Sequence, residues 1–232
     1  MGYLPIFLDM QGRDCLVAGG GAIAEARVRA LLDAGALVTV VSPELTPALQ
    51  AMARGEEIHH CARNYASNDM QGRFLACIVT SDEALARSAA ADAERFGVLI
   101  NAADMPAFCD FITPAVVKRG AVQIAIGTGG ASPALARRLR ESIETLVGPE
   151  YEPFADLLRV ARQWLRSRVE SPDERARILS ALVASELIGA LKRRDREQAD
   201  VIVRYHLGAG LEAIGFAFNP DSPSTSEALS AD

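Results

Sequence analysis

Three consecutive glycines lie between a strand-like apolar run and an alanine-rich helical segment near the start of the chain. The apolar run is Asp14–Ala18, and the six residues after it, Gly19–Ala24, are Gly-Gly-Gly-Ala-Ile-Ala. Gly19, Gly21 and Ala24 have the spacing G-x-G-x-x-A. In this pattern the first glycine allows a tight turn, the second lets the backbone approach a phosphate, and the alanine lets the helix lie close to the sheet. The helix N-terminus adds partial positive charge and free N–H groups. The pattern predicts the dinucleotide-binding turn of a Rossmann fold.

Strand-like and helix-like segments alternate up to about residue 110. The predicted strands are residues 13–18, 37–41, 57–61, 74–79 and 98–102, and the predicted helices are residues 22–34, 44–54 and 82–96. Strands such as 74–79 are apolar throughout, as expected where helices cover both faces of a parallel sheet. This alternation predicts an α/β fold with a Rossmann-like, doubly wound parallel sheet, and we assign it to a domain of residues 1–110.

The alternation stops after residue 110. A strand-like segment at 121–126 leads into a glycine-rich loop, and a helix is expected to follow it up to about Leu146. Ser132 and Pro133 mark the start of that helix, because serine is a favoured N-cap and proline a favoured first residue. Residues 111–150 are therefore treated as a separate region.

The remainder of the chain has helical patterning. We predict a small all-helical C-terminal domain over residues 151–218, with an apolar stripe at helical spacing on its first helix. A capping box at Ser171 predicts a helix to about Leu191, and a shorter helix is expected near 196–206. Residues 219–232 are rich in proline, serine and aspartate and are predicted to be a disordered tail.

Composition limits the classes of partner. The chain has 232 residues, a net charge of −6 and 50% hydrophobic residues, which is enough to build a core but argues against a general nucleic-acid-binding protein. It contains no apolar stretch long enough to cross a bilayer, and its N-terminus lacks a basic region. We therefore predict neither a membrane partner nor a signal peptide.

Cysteine and histidine usage predicts no bound metal. The four cysteines, at positions 15, 61, 77 and 109, form no C-x-x-C pair, so neither a zinc site nor a disulfide framework is expected. Reduced thiols are typical of a cytoplasmic protein. His59 and His60 are adjacent on a predicted strand and should point to opposite faces, so they are not expected to bind one ion together.

Ser42 and Glu44 follow the second predicted strand. A carboxylate near the end of this strand commonly holds the adenosine ribose of NAD, whereas a neighbouring arginine accommodates the 2′-phosphate of NADP. Glu44 has no arginine beside it in the sequence, so NAD is the predicted cofactor. Ser42-Pro43-Glu44 is also an ordinary helix start, and both interpretations can hold together.

Polar residues follow the fourth and fifth predicted strands as well. Thr80, Asn101 and Asp104 should lie at the carboxyl edge of the sheet, where ligands bind to open α/β sheets, and are predicted to face the nicotinamide half of the cofactor. The alternative is local: Asp82 is better explained as a helix N-cap, and Asp104, before Met105-Pro106, as a turn residue.

Taken together, the motifs resemble the sirohaem synthase family, specifically its precorrin-2 dehydrogenase/sirohydrochlorin ferrochelatase module. The resemblance covers roughly residues 3–147. It rests on Leu4–Phe7, Gly19–Ala24, Gly35–Ala36 with Val38–Val41, Asn101–Asp104, Cys109–Ala115 and Gly129–Ala136.

The resemblance implies NAD-dependent oxidation of precorrin-2 to sirohydrochlorin, and in some members Fe²⁺ insertion to give sirohaem. Asp104 matches an essential aspartate that is proposed as the base in dehydrogenation and is important in chelation. Members are homodimers whose central region, here about 111–147, supplies the interface. Thr128 stands where some relatives carry a phosphorylated serine. The cofactor-binding set expected here is Gly19, Gly20, Gly21, Ala22, Ile23, Ser42, Pro43, Glu44, Thr80 and Asn101.

A tetrapyrrole with many carboxylates requires positive groups and free backbone donors. The candidate substrate residues lie in the loop before the 132–146 helix and on that helix itself: Thr128, Gly129, Gly130, Ser132, Arg137, Arg138 and Arg140. The alternative for the arginines is a solvated helix face. Two other functions stay open: a chelatase without redox activity, and a non-catalytic NAD-sensing domain.

Overall fold

A five-stranded parallel sheet forms the centre of the N-terminal part of the chain. The computed structural model describes residues 2–218, which divide into two units, the first ending at Thr113 and the second beginning at Pro114. The strand order in the sheet is β3-β2-β1-β4-β5, and every neighbouring pair is parallel. The elements are β1 (Asp14–Ala18), α1 (Ala22–Asp33), β2 (Leu37–Val41), α2 (Pro47–Arg54), β3 (His59–Cys61), β4 (Leu75–Ile78), α3 (Glu83–Phe96) and β5 (Leu99–Ala102).

Apolar side chains on both faces of this sheet explain its position between two layers. Alternate residues of β1 enter different clusters: Val17 packs with Val28 of α1 and Leu49 of α2, whereas Leu16 packs with Ala89 of α3. All four residues of β4 are buried. Burial on both faces is the signature of a doubly wound parallel sheet, which confirms the predicted fold class.

The second unit begins with a hairpin and continues as helices. Its core lies among α5 to α8, around Leu157, Leu182, Leu187 and Leu211, which are at most 1% exposed. The antiparallel strands pair Ala115 with Ile126. The elements are β6 (Ala115–Arg119), β7 (Val122–Ile126), α4 (Pro133–Leu146), α5 (Tyr151–Arg166), α6 (Pro172–Val183), α7 (Leu187–Lys192) and α8 (Arg196–Leu207).

Two expected helices were wrong in detail, and one strand was not predicted. The helix expected from Ser171 to about Leu191 is two helices, because the Ser185 hydroxyl donates to the Leu182 carbonyl and accepts from the Leu187 amide, which ends one helix and starts the next. The helix expected over 44–54 begins at Pro47, since the Thr46 side chain caps it. Strand β6 had no predicted counterpart.

The two units divide between Thr113 and Pro114, close to the limit predicted at residue 110. Residues 114–150 lie in the same unit as the helices after them, and within that unit Arg119 of β6 donates to the Val147 carbonyl at 3.1 Å. No helix within residues 2–218 is long and apolar enough to cross a membrane. The tail expected at 219–232 lies outside the described residues.

Candidate functional site

The carboxyl ends of the parallel strands bring most of the predicted cofactor residues to one edge of the sheet. Strands β1, β2, β4 and β5 end at Ala18, Val41, Ile78 and Ala102. The chain runs outward from β1 to β2 and β3 on one side and to β4 and β5 on the other, so β1 and β4 flank the topological switch point. Ligands of open α/β sheets bind in the crevice at that point.

Gly19 and Gly20 form a tight turn against neighbouring loops. Gly19 has φ 127°, and a Cβ there would lie 2.8 Å from the Val79 carbonyl oxygen. A Cβ on Gly20 would overlap the Glu44 carbonyl oxygen. Gly20 occupies a variable position of the G-x-G-x-x-A pattern, so this packing requirement was not predicted from the motif. Both glycines are required by the turn itself.

Gly21 has a different environment. It is exposed, a Cβ on it would have no heavy atom within 4 Å, and it is the N-cap of α1 without any side-chain hydrogen bond. By contrast, α2 and α3 are capped by the side chains of Thr46 and Asp82. The first N–H groups of α1 therefore face open space beside a residue without a side chain, which fits a dinucleotide pyrophosphate.

Hydrogen bonds hold the loop after β2 against the glycine turn. The Thr46 amide donates to the Gly20 carbonyl at 2.9 Å, and the Thr46 hydroxyl donates to the Glu25 carboxylate at 2.7 Å. The bond from Thr46, followed by one from Arg29, holds the pKa of Glu25 below its usual value. The Ser42 hydroxyl donates to the Glu44 carbonyl at 2.7 Å. The Ser42 side chain is thus a structural donor within the loop.

A cavity of about 610 Å³ adjoins this loop. It is lined by Pro43, Glu44, Leu45, Gln50, Ala53, Arg54 and His60. Arg54 comes from the far end of α2, so the expectation that Glu44 has no arginine near it holds for the sequence but not for the fold. Pro43 and Glu44 are exposed, and the ring of His60 lies with its Nε2 2.9 Å from the Ser42 carbonyl oxygen.

The turn after β5 carries Asp104. Its φ is 60°, in the left-handed region, and the Met105 amide donates to the Ala102 carbonyl at 3.2 Å across the turn. Asp104 is exposed, and its carboxylate has no hydrogen bond to any group in residues 2–218. Left-handed non-glycine residues are uncommon and concentrate at functional sites, although aspartate tolerates the conformation better than most.

The other two residues predicted for this edge make structural contacts. Asn101 is 7% exposed, and its amide donates to the Phe111 carbonyl at 2.9 Å. Its role beside the nicotinamide stays a prediction. The Thr80 hydroxyl accepts from the Asp82 amide at 3.0 Å, and the Asp82 carboxylate caps α3 as expected. Asn101 therefore belongs to the support of the edge.

The predicted substrate residues lie together at the start of α4. The Thr128 hydroxyl donates to the Ser132 carbonyl at 3.2 Å, and the Ser132 hydroxyl accepts from the Leu135 amide. Arg137 pairs with Glu141 at 3.0 Å. Arg140 pairs with Glu144 at 3.5 Å. Within the described part of the chain, Arg138 pairs with no carboxylate, so it is the best candidate among the three arginines.

Titratable groups elsewhere do not form a metal centre. Among residues 2–218 no group of three or more His, Cys, Asp or Glu side chains is placed to hold an ion. Burial raises the pKa of the Cys15 and Cys77 thiols to about 11. These thiols stay protonated in the core and behave as small apolar side chains.

The sheet topology and the open helix N-terminus define a dinucleotide-binding Rossmann protein. A family model described as NAD(P)-binding matches residues 6–115, which agrees with the predicted cofactor. A second model, described as the central part of a sirohaem biosynthesis protein, matches residues 119–146. The chain belongs to the sirohaem synthase family.

Individual relatives agree with this assignment. A siroheme synthase of Ectopseudomonas mendocina is 43% identical over 157 residues, which are 68% of this chain and 34% of the relative. One from Chromobacterium violaceum is 34% identical over 210 residues, 90% of this chain and 45% of the relative. The chain thus spans less than half the length of these curated relatives. A solved structure named SirC, precorrin-2 dehydrogenase, matches with a TM-score of 0.71 and 25% identity, covering 88% of this chain and all of the other.

The two glycines give a matched test of the turn. Gly20→Ala should lower the free energy of unfolding by about 1–3 kcal/mol or more, because its Cβ overlaps backbone. Gly21→Ala should change it by no more than about 0.5 kcal/mol, since its Cβ enters open space. Urea unfolding followed by circular dichroism measures both. Equal losses in the two variants would contradict this assignment of roles.

Proposed function

We propose that this protein is a cytoplasmic NAD-dependent dehydrogenase that oxidises precorrin-2 to sirohydrochlorin in sirohaem biosynthesis. The observation that carries the proposal is that the open N-terminus of α1 and the exposed Asp104 turn follow strands of one sheet at the same edge. Family membership and the match of 88% of this chain to a precorrin-2 dehydrogenase structure support the choice of substrate. The four free cysteines support a reducing compartment.

The glycine turn and the loop after β2 would hold the cofactor. The α1 N–H groups would bind the pyrophosphate next to Gly21, with Ala22 and Ile23 in the first turn, and Glu44 would accept from ribose hydroxyls. When bound, NAD⁺ supplies a hydride acceptor. The negative charge of Glu44 favours NAD over NADP. Arg54 lines the same cavity, and an arginine can bind the 2′-phosphate of NADP, so the affinities for NAD⁺ and NADP⁺ must be compared.

Asp104 would act as the general base. Oxidation removes a hydride and a proton from the substrate, and the Asp104 carboxylate can accept that proton because its side chain is exposed at the sheet edge. Its left-handed backbone aims the side chain by conformation, without a hydrogen bond from neighbouring groups. If the protein also inserts Fe²⁺, the ion is a substrate of that reaction and not a bound cofactor.

The second unit is better suited than the first to recognise the carboxylates of a tetrapyrrole. Residues 1–113 contain 8 arginines and no lysine against 14 acidic residues, whereas residues 114–218 contain 16 arginines and lysines against 13 acidic residues. Arg138 has no acidic partner in the described chain, and the Thr128–Ser132 loop leaves Gly129 and Gly130 exposed. These groups offer a guanidinium and backbone donors to substrate carboxylates.

We further propose a homodimer built on α4 and the β6–β7 hairpin. Helix α4 has 14 residues and buries none of them, while Leu135, Leu139 and Leu146 are 49%, 41% and 74% exposed on one stripe. A two-stranded ribbon is marginally stable in water unless its faces and edges are covered. A second copy of this chain would cover the leucine stripe.

Cofactor binding can be tested at Gly21. Gly21→Asp should weaken NAD⁺ binding severely, because it places bulk and negative charge where the pyrophosphate is proposed to lie. Titration calorimetry of NAD⁺ and NADP⁺ against wild type and variant measures this. Gly2→Asp, where a Cβ likewise has no heavy atom within 4 Å, is the control and should leave affinity unchanged. Unchanged NAD⁺ affinity in Gly21→Asp would move the site elsewhere.

The role of Asp104 can be tested with two substitutions. Asp104→Asn should cut dehydrogenation by about 10²–10⁴-fold, the usual contribution of a general base. Asparagine tolerates the left-handed backbone, so its thermal stability and NAD⁺ affinity should stay near wild type. Asp104→Ala should lose the same activity and also some stability.

The assay itself separates the competing functions. Precorrin-2 and NAD⁺ are incubated anaerobically with and without Fe²⁺, and absorbance is followed. Metallation of sirohydrochlorin without any NAD⁺-dependent oxidation would indicate a chelatase, and binding of NAD⁺ without either reaction would indicate a sensing domain. Near-wild-type turnover in folded Asp104→Asn would remove Asp104 from the mechanism.

The oligomer is tested by Leu139→Glu. A buried leucine contributes about 1.5–3 kcal/mol, so a charge in its place should weaken association at least about tenfold. Sedimentation equilibrium at micromolar concentration should find a dimer for wild type and monomer for the variant. Val201→Glu, on the exposed side of α8, should remain dimeric. A monomeric wild type would refute the proposed interface.

A further inference from the structure

The chain beyond Asp104 folds back along β5, the edge strand of the sheet. The Asp110 amide donates to the Ile100 carbonyl at 2.8 Å, and the Ile100 amide donates to the Asp110 carboxylate at 3.0 Å. The Asn101 side chain adds its bond to the Phe111 carbonyl. Residues 109–111 are therefore fixed opposite residues 100–102, and the segment between them must close as a turn.

The Cys109 side chain lies inside that turn. Its Sγ accepts from the Ala102 amide at 3.2 Å and lies 3.1 Å from the Ala102 carbonyl oxygen and 3.4 Å from that of Met105. A thiol has one proton, so it donates to one of these two carbonyls while it accepts from the amide. Burial raises the pKa of Cys109, which keeps the thiol protonated and able to donate.

Asp104 lies between Ala102 and Met105, two of the three residues that the thiol contacts; the third is Asn101, whose side-chain amide donates to Sγ at 3.6 Å. A left-handed conformation costs about 1–2 kcal/mol for a residue with a Cβ, so it persists only where the surroundings determine it. Across the turn the backbone supplies one hydrogen bond, from Met105 to Ala102. On either side of it, the Ala103 amide donates to the Ile78 carbonyl at 2.9 Å and the Phe108 amide donates to the Met105 carbonyl at 3.0 Å. The thiol adds the side-chain contacts that link the two sides of Asp104, to the Ala102 amide and toward the Met105 carbonyl.

We propose that Cys109 is a positioning residue for Asp104, holding the turn so that the carboxylate stays aimed outward from the sheet edge. The expected effect of Cys109 on catalysis rests on the proposed dehydrogenase function, whereas its effect on the structure of the turn does not. Cys109 touches neither cofactor nor substrate in this assignment. It acts through the Ala102–Met105 turn.

The experiment compares Cys109→Ala, which removes the contacts, with Cys109→Ser, which keeps one donor and acceptors. In Cys109→Ala, kcat should fall about 10–100-fold, as expected for a misplaced catalytic group, while NAD⁺ affinity is retained. Cys109→Ser should recover most of kcat. Cys61→Ala, which removes a half-buried thiol at the opposite edge strand, is the control and should keep full activity.

Two further measurements keep the outcome decisive. Amide exchange of Ala102, followed by mass spectrometry, should quicken in Cys109→Ala and stay slow in Cys109→Ser. In the Asp104→Asn background, Cys109→Ala should cost little additional activity, because there is no longer a base to position. The proposal would be overturned if Cys109→Ala lowered kcat by the same factor in the Asp104→Asn background as in wild type, or if Cys109→Ala left kcat of the otherwise wild-type protein unchanged.

Failure of the two proposals can be told apart. If wild type does not oxidise precorrin-2, the proposed function fails, and amide exchange of Ala102 still decides whether Cys109 fixes the turn. If wild type is active and folded Cys109→Ala matches it in kcat, the proposed function stands and the positioning role is wrong.

Discussion

The contact between Gly20 and the loop after β2 is the constraint on which the cofactor edge depends. Only a residue without a side chain lets the Glu44 carbonyl lie against the glycine turn, and the Thr46 amide then bonds to the Gly20 carbonyl. This contact places the N-terminus of α1 and the exposed Glu44 on the same side of the sheet. Gly20 is closely packed, whereas a Cβ on its neighbour Gly21 would meet open space, so the two adjacent glycines differ in what the turn requires of them.

The parts of the fold that sequence could predict are those set by local periodicity. Strands β1 and β2, helix α1 and the start of α4 follow from apolar runs, glycines and caps. The break between α6 and α7 could not be predicted, because it depends on which carbonyl the Ser185 hydroxyl meets. The sequence of β6 likewise lacks a strong strand pattern, and β6 is stabilised by pairing with β7.

The same distinction applies to the candidate site. Position after a strand predicted that Asp104 lies at the carboxyl edge, and the turn there is exposed. Position did not predict that Asn101, at the end of the same strand, directs its amide to Phe111, since that contact requires the chain to fold back over ten residues. The sequence likewise did not predict that Arg54 lines the cavity beside Glu44. The two residues are ten positions apart, and helix α2 brings Arg54 to the cavity.

The Cys109-Asp110-Phe111 motif shows that residues of a family motif can have a structural role. Its three residues contact β5 through a thiol, a carboxylate and a carbonyl, and each of these groups is held by a hydrogen bond to that strand, unlike the Asp104 carboxylate. A strained turn at the end of an edge strand would relax unless something fixed both sides of it. Hydrogen bonds that join Cys109, Asp110 and Phe111 to β5 fix the chain on the far side of the turn, so these motif residues contribute to where the exposed Asp104 side chain lies.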